Sequence, residues 1–224
     1  MAITLHQLEQ FYPRLYHMAE ENTWESIKKH GLLSTSALLD FYGINGELRY
    51  SIESKHRPES VKIESENYGF AMIRDQKPLR ESALKECLND VTPKQWYEML
   101  NSRVFFWLTE KRLFTLLSAR AYRQKTHCVI TINTKDLLKK YSDKIKLSPI
   151  NSGSTIYNPV KRGSDTFLPL SQYPFDERKK IRGLDNAIAE LTVEYSIPEI
   201  AEFTVNVAHV RGNQVIETIY EIPL

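Results

Sequence analysis

A chain of 224 residues, 42% hydrophobic and 26% charged, is long enough for one well-buried globular domain and too apolar for a disordered protein. Its longest uninterrupted apolar run, Val104 to Leu108, falls far short of a bilayer span, so no membrane partner is expected. Thirty Lys plus Arg against 28 Asp plus Glu leave a net charge of +2, which neither requires nor excludes a nucleic-acid partner.

In chain order, Met1 to Gln10 has no apolar signal-peptide core, and a cytoplasmic protein is expected. Arg14 to Met18 reads as a short strand, Glu20 to Asn22 as a polar corner, and Thr23 to His30 as a helix. Asn22 or Thr23 can cap that helix, Glu25 and the Lys28-Lys29-His30 run suit its dipole, and Gly31 ends it. Ser34 or Ser36 then caps a helix from Ala37 to Tyr42, closed by Gly43. Gly46 to Asn67 is weakly patterned and predicts a partly helical excursion, a candidate lid. Tyr68 to Arg74 is strand-like, with a polar exit, Arg74-Asp75-Gln76-Lys77-Pro78. A helix follows over Leu79 to Leu88, and Thr92, Pro93 and Gln95 make a capping box for the next.

Val104 to Leu108 is expected to be a central strand because both of its faces are apolar. Thr109 caps a helix running to Arg123, with Arg120 near its apolar stripe, and His127 to Asn133 alternates as a strand before a helix from Thr134 to Tyr141. Leu147 to Leu170 is loop-like, with polar segments Asn151 to Ser154 and Lys161 to Ser164, and is either functional or a pair of turns between short strands such as Ser154 to Tyr157. Ala187 to Tyr195 predicts a strand, Ser196-Ile197-Pro198-Glu199 a short helix start, and Phe203 to Ile222 a hairpin turned at Gly212-Asn213. Irregular mixing of helices and strands, with an antiparallel hairpin at the end, predicts a single α+β domain over residues 1–224.

Two basic regions, Lys139 to Lys146 and Arg178 to Arg182, are solvated faces or anion-binding patches. Cys87 and Cys128 have no metal-like or redox-like spacing, and no clustered His points to a metal. No GxGxxG, Walker loop, HExxH or GxSxG is present.

The segment Arg14 to Ser34, RLYHMAEENTWESIKKHGLLS, resembles the opening of the ADP-ribosyltransferase-like proteins: a strand ending in Tyr-His, a polar corner, a helix with a central Ile, and a GLL exit. It is most similar to the DarT-like group, which transfers ADP-ribose from NAD to DNA, and more loosely to the RNA 2′-phosphotransferases that use NAD. The resemblance implies split antiparallel or mixed sheets with flanking helices, NAD as cofactor, DNA or RNA as acceptor, and a toxin or defence effector with a possible antitoxin. It places Tyr16, His17 and Asn22 at NAD, His17 through the adenosine ribose. Asn22 stands one place nearer the His than its counterpart in the DarT-like pattern.

The segment Val104 to Arg123 resembles the part of the fold where an aromatic ring stacks on nicotinamide; Tyr122 is that ring or a core aromatic. Arg74 is the candidate for the pyrophosphate, with Arg120 and Arg162 competing, and Gln76 and Asn151 are further candidates for substrate contact. Glu190, in Asn186-Ala187-Ile188-Ala189-Glu190-Leu191-Thr192-Val193, resembles the family's catalytic glutamate; strand alternation sets it beside Ile188 and Thr192. A carboxylate there would hold a ribose hydroxyl, stabilise an oxocarbenium-like transition state and take the acceptor's proton. A phosphotransferase would instead need an arginine cluster joined to His17. A catalytically silent nucleotide-binding or protein-binding module would not bring His17 and Glu190 to one cleft.

Overall fold

The structure is a computed structural model that describes residues 1–156 and 158–222. Thr4 and Gln7 form a reciprocal capping box that starts α1 (Leu5–Phe11), a helix the sequence reading missed. β1 (Arg14–Glu20) runs two residues further than expected. Neither expected side-chain cap operates at α2 (Trp24–His30), because the Thr23 hydroxyl donates to the Glu20 carbonyl and Asn22 turns the chain at φ 62°. β2 (Leu32–Leu33) follows, then α3 (Thr35–Phe41), capped by the Ser34 hydroxyl accepting from the Ala37 amide at 3.2 Å.

Gly31 is required by backbone geometry. Its φ is +89°, and a Cβ would stand 2.6 Å from Pro198 Cα, backbone that cannot swing aside. Gly31→Ala is expected to destabilise the fold by about 2 kcal/mol or more, read as a lower denaturant midpoint at unchanged slope.

The excursion after Gly43 contains α4 (Gly46–Glu53) and β3 (Val61–Ser65), the latter hairpinned to β4 (Gly69–Ile73). Leu39, Ile52, Ile63, Ala71 and Ile73 give it a small buried core, so this segment is packed structure. α5 (Glu81–Cys87) comes next, and α6 (Pro93–Asn101) begins with the expected Thr92–Gln95 box.

β5 (Arg103–Phe106) is not central: it is an outer strand of its sheet. Its apolar run is explained by a bridge on its other side, where Tyr16 and Trp107 exchange amide hydrogen bonds at 2.9 and 2.8 Å. α7 (Glu110–Leu117) stops at Leu117 and not at Arg123, which leaves Arg120 exposed in a turn.

β6 (Thr126–Asn133), α8 (Thr134–Tyr141) and β7 (Ile145–Ser148) are followed by the long loop, β8 (Leu168–Pro169) and the unanticipated α9 (Phe175–Arg182). No strand forms at Ser154 to Ile156; Tyr157, the end of that expected strand, lies outside the described residues. α10 (Leu184–Ala187) replaces the expected beginning of the next strand, so β9 (Glu190–Glu194) opens on Glu190 itself and Ile188 falls in the main core. Ser196 is not a helix cap: it starts β10 (Ser196–Ile197), which pairs with β2. α11 (Ile200–Phe203), β11 (Thr204–Arg211) and β12 (Gln214–Glu221) complete the described chain.

The result is an α+β fold with two four-stranded sheets, ordered β1-β6-β11-β12 and β5-β9-β7-β8. Every strand pair among the described residues is antiparallel, so the mixed-sheet alternative is set aside; parallel pairing is confined to an isolated bridge, Leu88 with Arg162. Leu15, Ile130 and Val207 from the first sheet join Leu147, Leu191 and Val193 from the second in one buried core. At about 1.5–3 kcal/mol for each large side chain buried, that shared core holds the sheets in register. Among the described residues no helix is long and apolar enough to cross a membrane.

Candidate functional site

Where the sheets part, β1, β5, the exit of β4 and the start of β9 enclose a cleft of about 280 Å³. A smaller lobe of about 90 Å³ lies between α2, α3 and β4, and His17, Leu33, Leu38, Met72 and Arg74 line both. The smaller lobe is aromatic on one side, with His30, Phe41, Tyr42 and Phe70 in its wall. Tyr68 backs Phe41 at 4.3 Å between ring centroids.

His17 projects from β1 and its Nδ1 lies 2.8 Å from the Phe105 carbonyl. A carbonyl only accepts, so Nδ1 carries the proton and Nε2 is left as an acceptor. Burial pushes the imidazole down to about 4, against the pull of the Phe105 carbonyl and with help from the Arg74 charge. The ring is therefore neutral at physiological pH.

Glu190 lines the same cleft from the start of β9, 4% exposed, and both carboxylate oxygens accept from the Ser152 amide at 3.2 Å. The polar turn at Asn151 to Ser154 thus folds over the carboxylate. Burial pushes Glu190 up to about 7, opposed by the Ser152 contact and by the charges of Arg112 and Arg162. A carboxyl poised near neutrality in a cleft is a candidate acid or base.

Arg74 stands where the two lobes meet. Its guanidinium lies 5.1 Å over the Tyr122 ring, its Nη1 donates to the Met18 carbonyl at 3.4 Å, and its Nε has no hydrogen-bond partner although Glu20 is 3.6 Å away. Tyr122 lines the larger lobe but is only 3% exposed, with its hydroxyl donating to Asp75 at 2.8 Å. Its ring carries Arg74 and its hydroxyl carries Asp75, which makes it a support for those two groups. Tyr122→Phe is expected to cost about 1–2 kcal/mol in chemical denaturation, since Asp75 Oδ2 is already without a partner and Oδ1 would lose a donor.

Gln76 also lines the lobe, but its side chain accepts from the Arg57 amide at 3.0 Å. Arg57 is a buried residue the sequence reading missed, because a single Arg beside Pro58 carries no pattern that announces burial. It ties α4, β4 and α6 together, donating to the carbonyls of Ile52 and Arg74 and to Asn101 Oδ1. Burial pushes it down to about 10, opposed by Asp75, so it stays charged at neutral pH.

The fold therefore brings His17, Arg74, Gln76, Tyr122, Asn151 and Glu190 to one cleft. Four candidates lie outside it. Tyr16 points to the other face of β1 and donates to Glu110 at 3.3 Å, as strand alternation next to His17 requires. Asn22 is exposed at the corner, and Arg120 is exposed beyond α7. Arg162 is buried behind the polar turn, donating to the carbonyls of Ser152 and Val160 at 2.9 and 3.1 Å, where it braces the turn that holds Glu190. Among the described residues no three His, Cys, Asp or Glu side chains gather as metal ligands.

These features define an α+β protein with two antiparallel sheets parted by a cleft that sets a neutral histidine and a buried glutamate on one cavity wall system. Residues 13–204 match the family of unknown function DUF7002, and the chain belongs to that family. No curated protein matches the sequence.

Proposed function

We propose that the protein is an NAD-dependent ADP-ribosyltransferase of the ADP-ribosyltransferase-like superfamily, acting on nucleic acid as a cytoplasmic toxin or defence effector. The observation that carries this reading is the shared cleft: His17 and Glu190, the positions that the family resemblance assigns to NAD binding and catalysis, line the same cavity. A silent module predicts them apart, and a phosphotransferase predicts arginines beside His17 that are free to take an RNA phosphate; of the arginines that line this cleft, Arg57 is committed to the carbonyls of Ile52 and Arg74 and to Asn101, and Arg103 pairs with Glu194 at 3.8 Å.

The residues fit the dinucleotide. The aromatic smaller lobe suits adenine, His17 Nε2 suits a ribose hydroxyl, the Arg74 guanidinium where the lobes meet suits the pyrophosphate, and the larger lobe leads to Glu190. NAD supplies the ADP-ribosyl group, its C1′–nitrogen bond breaking with the electron pair leaving on nicotinamide while the acceptor bonds to C1′. Ionised Glu190 holds the ribose hydroxyl and takes the proton the acceptor gives up. The Ser152 amide keeps that carboxylate in place, and its burial excludes competing water.

The test is incubation of the full chain with NAD and either single-stranded DNA or RNA, followed by mass analysis of the strand. A gain of one ADP-ribosyl group on either supports the reading and identifies the acceptor. Unmodified strands, with NAD consumed by nothing but hydrolysis, would remove nucleic acid as acceptor.

A further inference from the structure

Behind the Asn151 to Ser154 turn lies a second, open cleft of about 670 Å³, bounded by α9, α10 and the long loop. Arg112, Arg162, Arg178 and Arg182 line it, with no Asp or Glu in its lining among the described residues. None of these four guanidinium groups comes within ion-pair distance of a carboxylate among the described residues. Arg112 donates instead to the Asp185 carbonyl and Asn186 Oδ1, and Arg178 to the carbonyls of Ala187 and Pro149 at 3.1 and 2.8 Å. Arg182 is exposed and its guanidinium makes no hydrogen bond among the described residues. Folding thus gathers four cations along one concavity, Arg112, Arg162 and Arg178 tethered by neutral oxygens and Arg182 untethered. Such a site lowers its self-repulsion by taking an anion, and arginine forks match phosphate oxygens pairwise.

The rest of the cleft indicates a polymer rather than a lone phosphate. Ile156, Val160 and Ile181 are 36%, 55% and 68% exposed along its rim, apolar surface against which bases can lie. Asn158, exposed on the lining, offers an amide to base edges. Asn151 lines both this cleft and the larger lobe of the NAD site, so a strand lying here passes next to Glu190.

We propose that the arginine cleft binds the phosphate backbone of a single-stranded nucleic acid and leads one of its nucleotides past Asn151 toward Glu190. The inference rests on the transferase reading for the role of the bound strand as acceptor; binding itself requires no turnover.

The experiment is equilibrium binding of a short fluorescein-labelled oligothymidylate and the matching oligouridylate to the full chain without NAD. The variants are Arg182→Glu and, as a control with the same change in net charge outside the cleft, Lys144→Glu. Arg182→Glu is expected to weaken oligonucleotide binding about tenfold at low salt and to reduce the slope of log affinity against log salt by about one, with Lys144→Glu near wild type. Equal losses in the two variants, or no binding by wild type, would overturn the cleft. So would an Arg182→Glu variant that loses NAD affinity and keeps oligonucleotide affinity, because the arginines would then serve the dinucleotide. Binding that depends on Arg182 in a protein that never releases nicotinamide upholds the cleft and removes the transferase reading, so the two failures are distinct.

Discussion

Glu190→Gln is expected to lower ADP-ribosyl transfer by on the order of a thousandfold and, above pH 7, to make the fold more stable. Both effects have one cause. The carboxyl is buried and its pKa is pushed from 4.5 to about 7, so the folded state favours the protonated form. A group whose folded pKa is raised contributes its full stability below pH 4.5 and loses it as pH rises toward 7. At pH 8 the ionised glutamate costs the fold on the order of 3 kcal/mol, a cost that glutamine, which does not ionise, avoids. The variant is therefore expected to melt with wild type at pH 4.5 and above it at pH 8. The same titration sets the activity profile, because the carboxylate that accepts the proton exists only above its pKa. Nicotinamide release by wild type should rise through about pH 7 and level off. A flat profile from pH 6 to 8 would separate Glu190 from the proton transfer.

His17→Ala is expected to weaken NAD binding about tenfold and to cost about 1–3 kcal/mol of stability. The stability loss follows from the Phe105 carbonyl, which accepts from His17 Nδ1 at 2.8 Å and would lose that donor. The binding loss follows from Nε2, the acceptor that the Nδ1 bond fixes toward the cleft. Because burial holds the imidazole near 4, NAD affinity should not change between pH 6 and 8 on account of this ring. Titration calorimetry of wild type and variant over that range reads both points. A variant with wild-type NAD affinity would assign His17 a purely structural part.

β1 and the helix after it, α2, were legible because their signals are local: charges matched to the α2 dipole, and a glycine at Gly31, where a positive φ and the close Pro198 backbone disfavour a side chain. The α6 capping box was legible for the same reason. Glu190 was marked by being a lone acid in an apolar stretch, but the preceding Ala187-Ile188-Ala189 also suggested strand, whereas Ala187 ends α10 and Ile188 and Ala189 connect it, buried, to β9. α9 was missed because FDERKKIR has almost no apolar stripe; it is held by Phe175 in the core and by Arg178 on carbonyls of the loop and of Ala187. The outer position of β5 was hidden because a bridge to β1 buries its open side. The contribution of Ser152 is a backbone amide, which no side-chain pattern reports. The arginine cleft draws Arg112, Arg162 and Arg178 from three distant segments, a gathering that exists only after folding.

We propose above all that the cleft lined by His17, Arg74 and Glu190 cleaves NAD, with Glu190 as its catalytic carboxylate. The most direct measurement is release of nicotinamide from NAD by the full chain, with and without single-stranded nucleic acid, beside the Glu190→Gln variant. The account predicts release that increases with a nucleic acid and falls to background in the variant. No release and no NAD binding by the folded wild-type protein, or release that survives in Glu190→Gln, would contradict it.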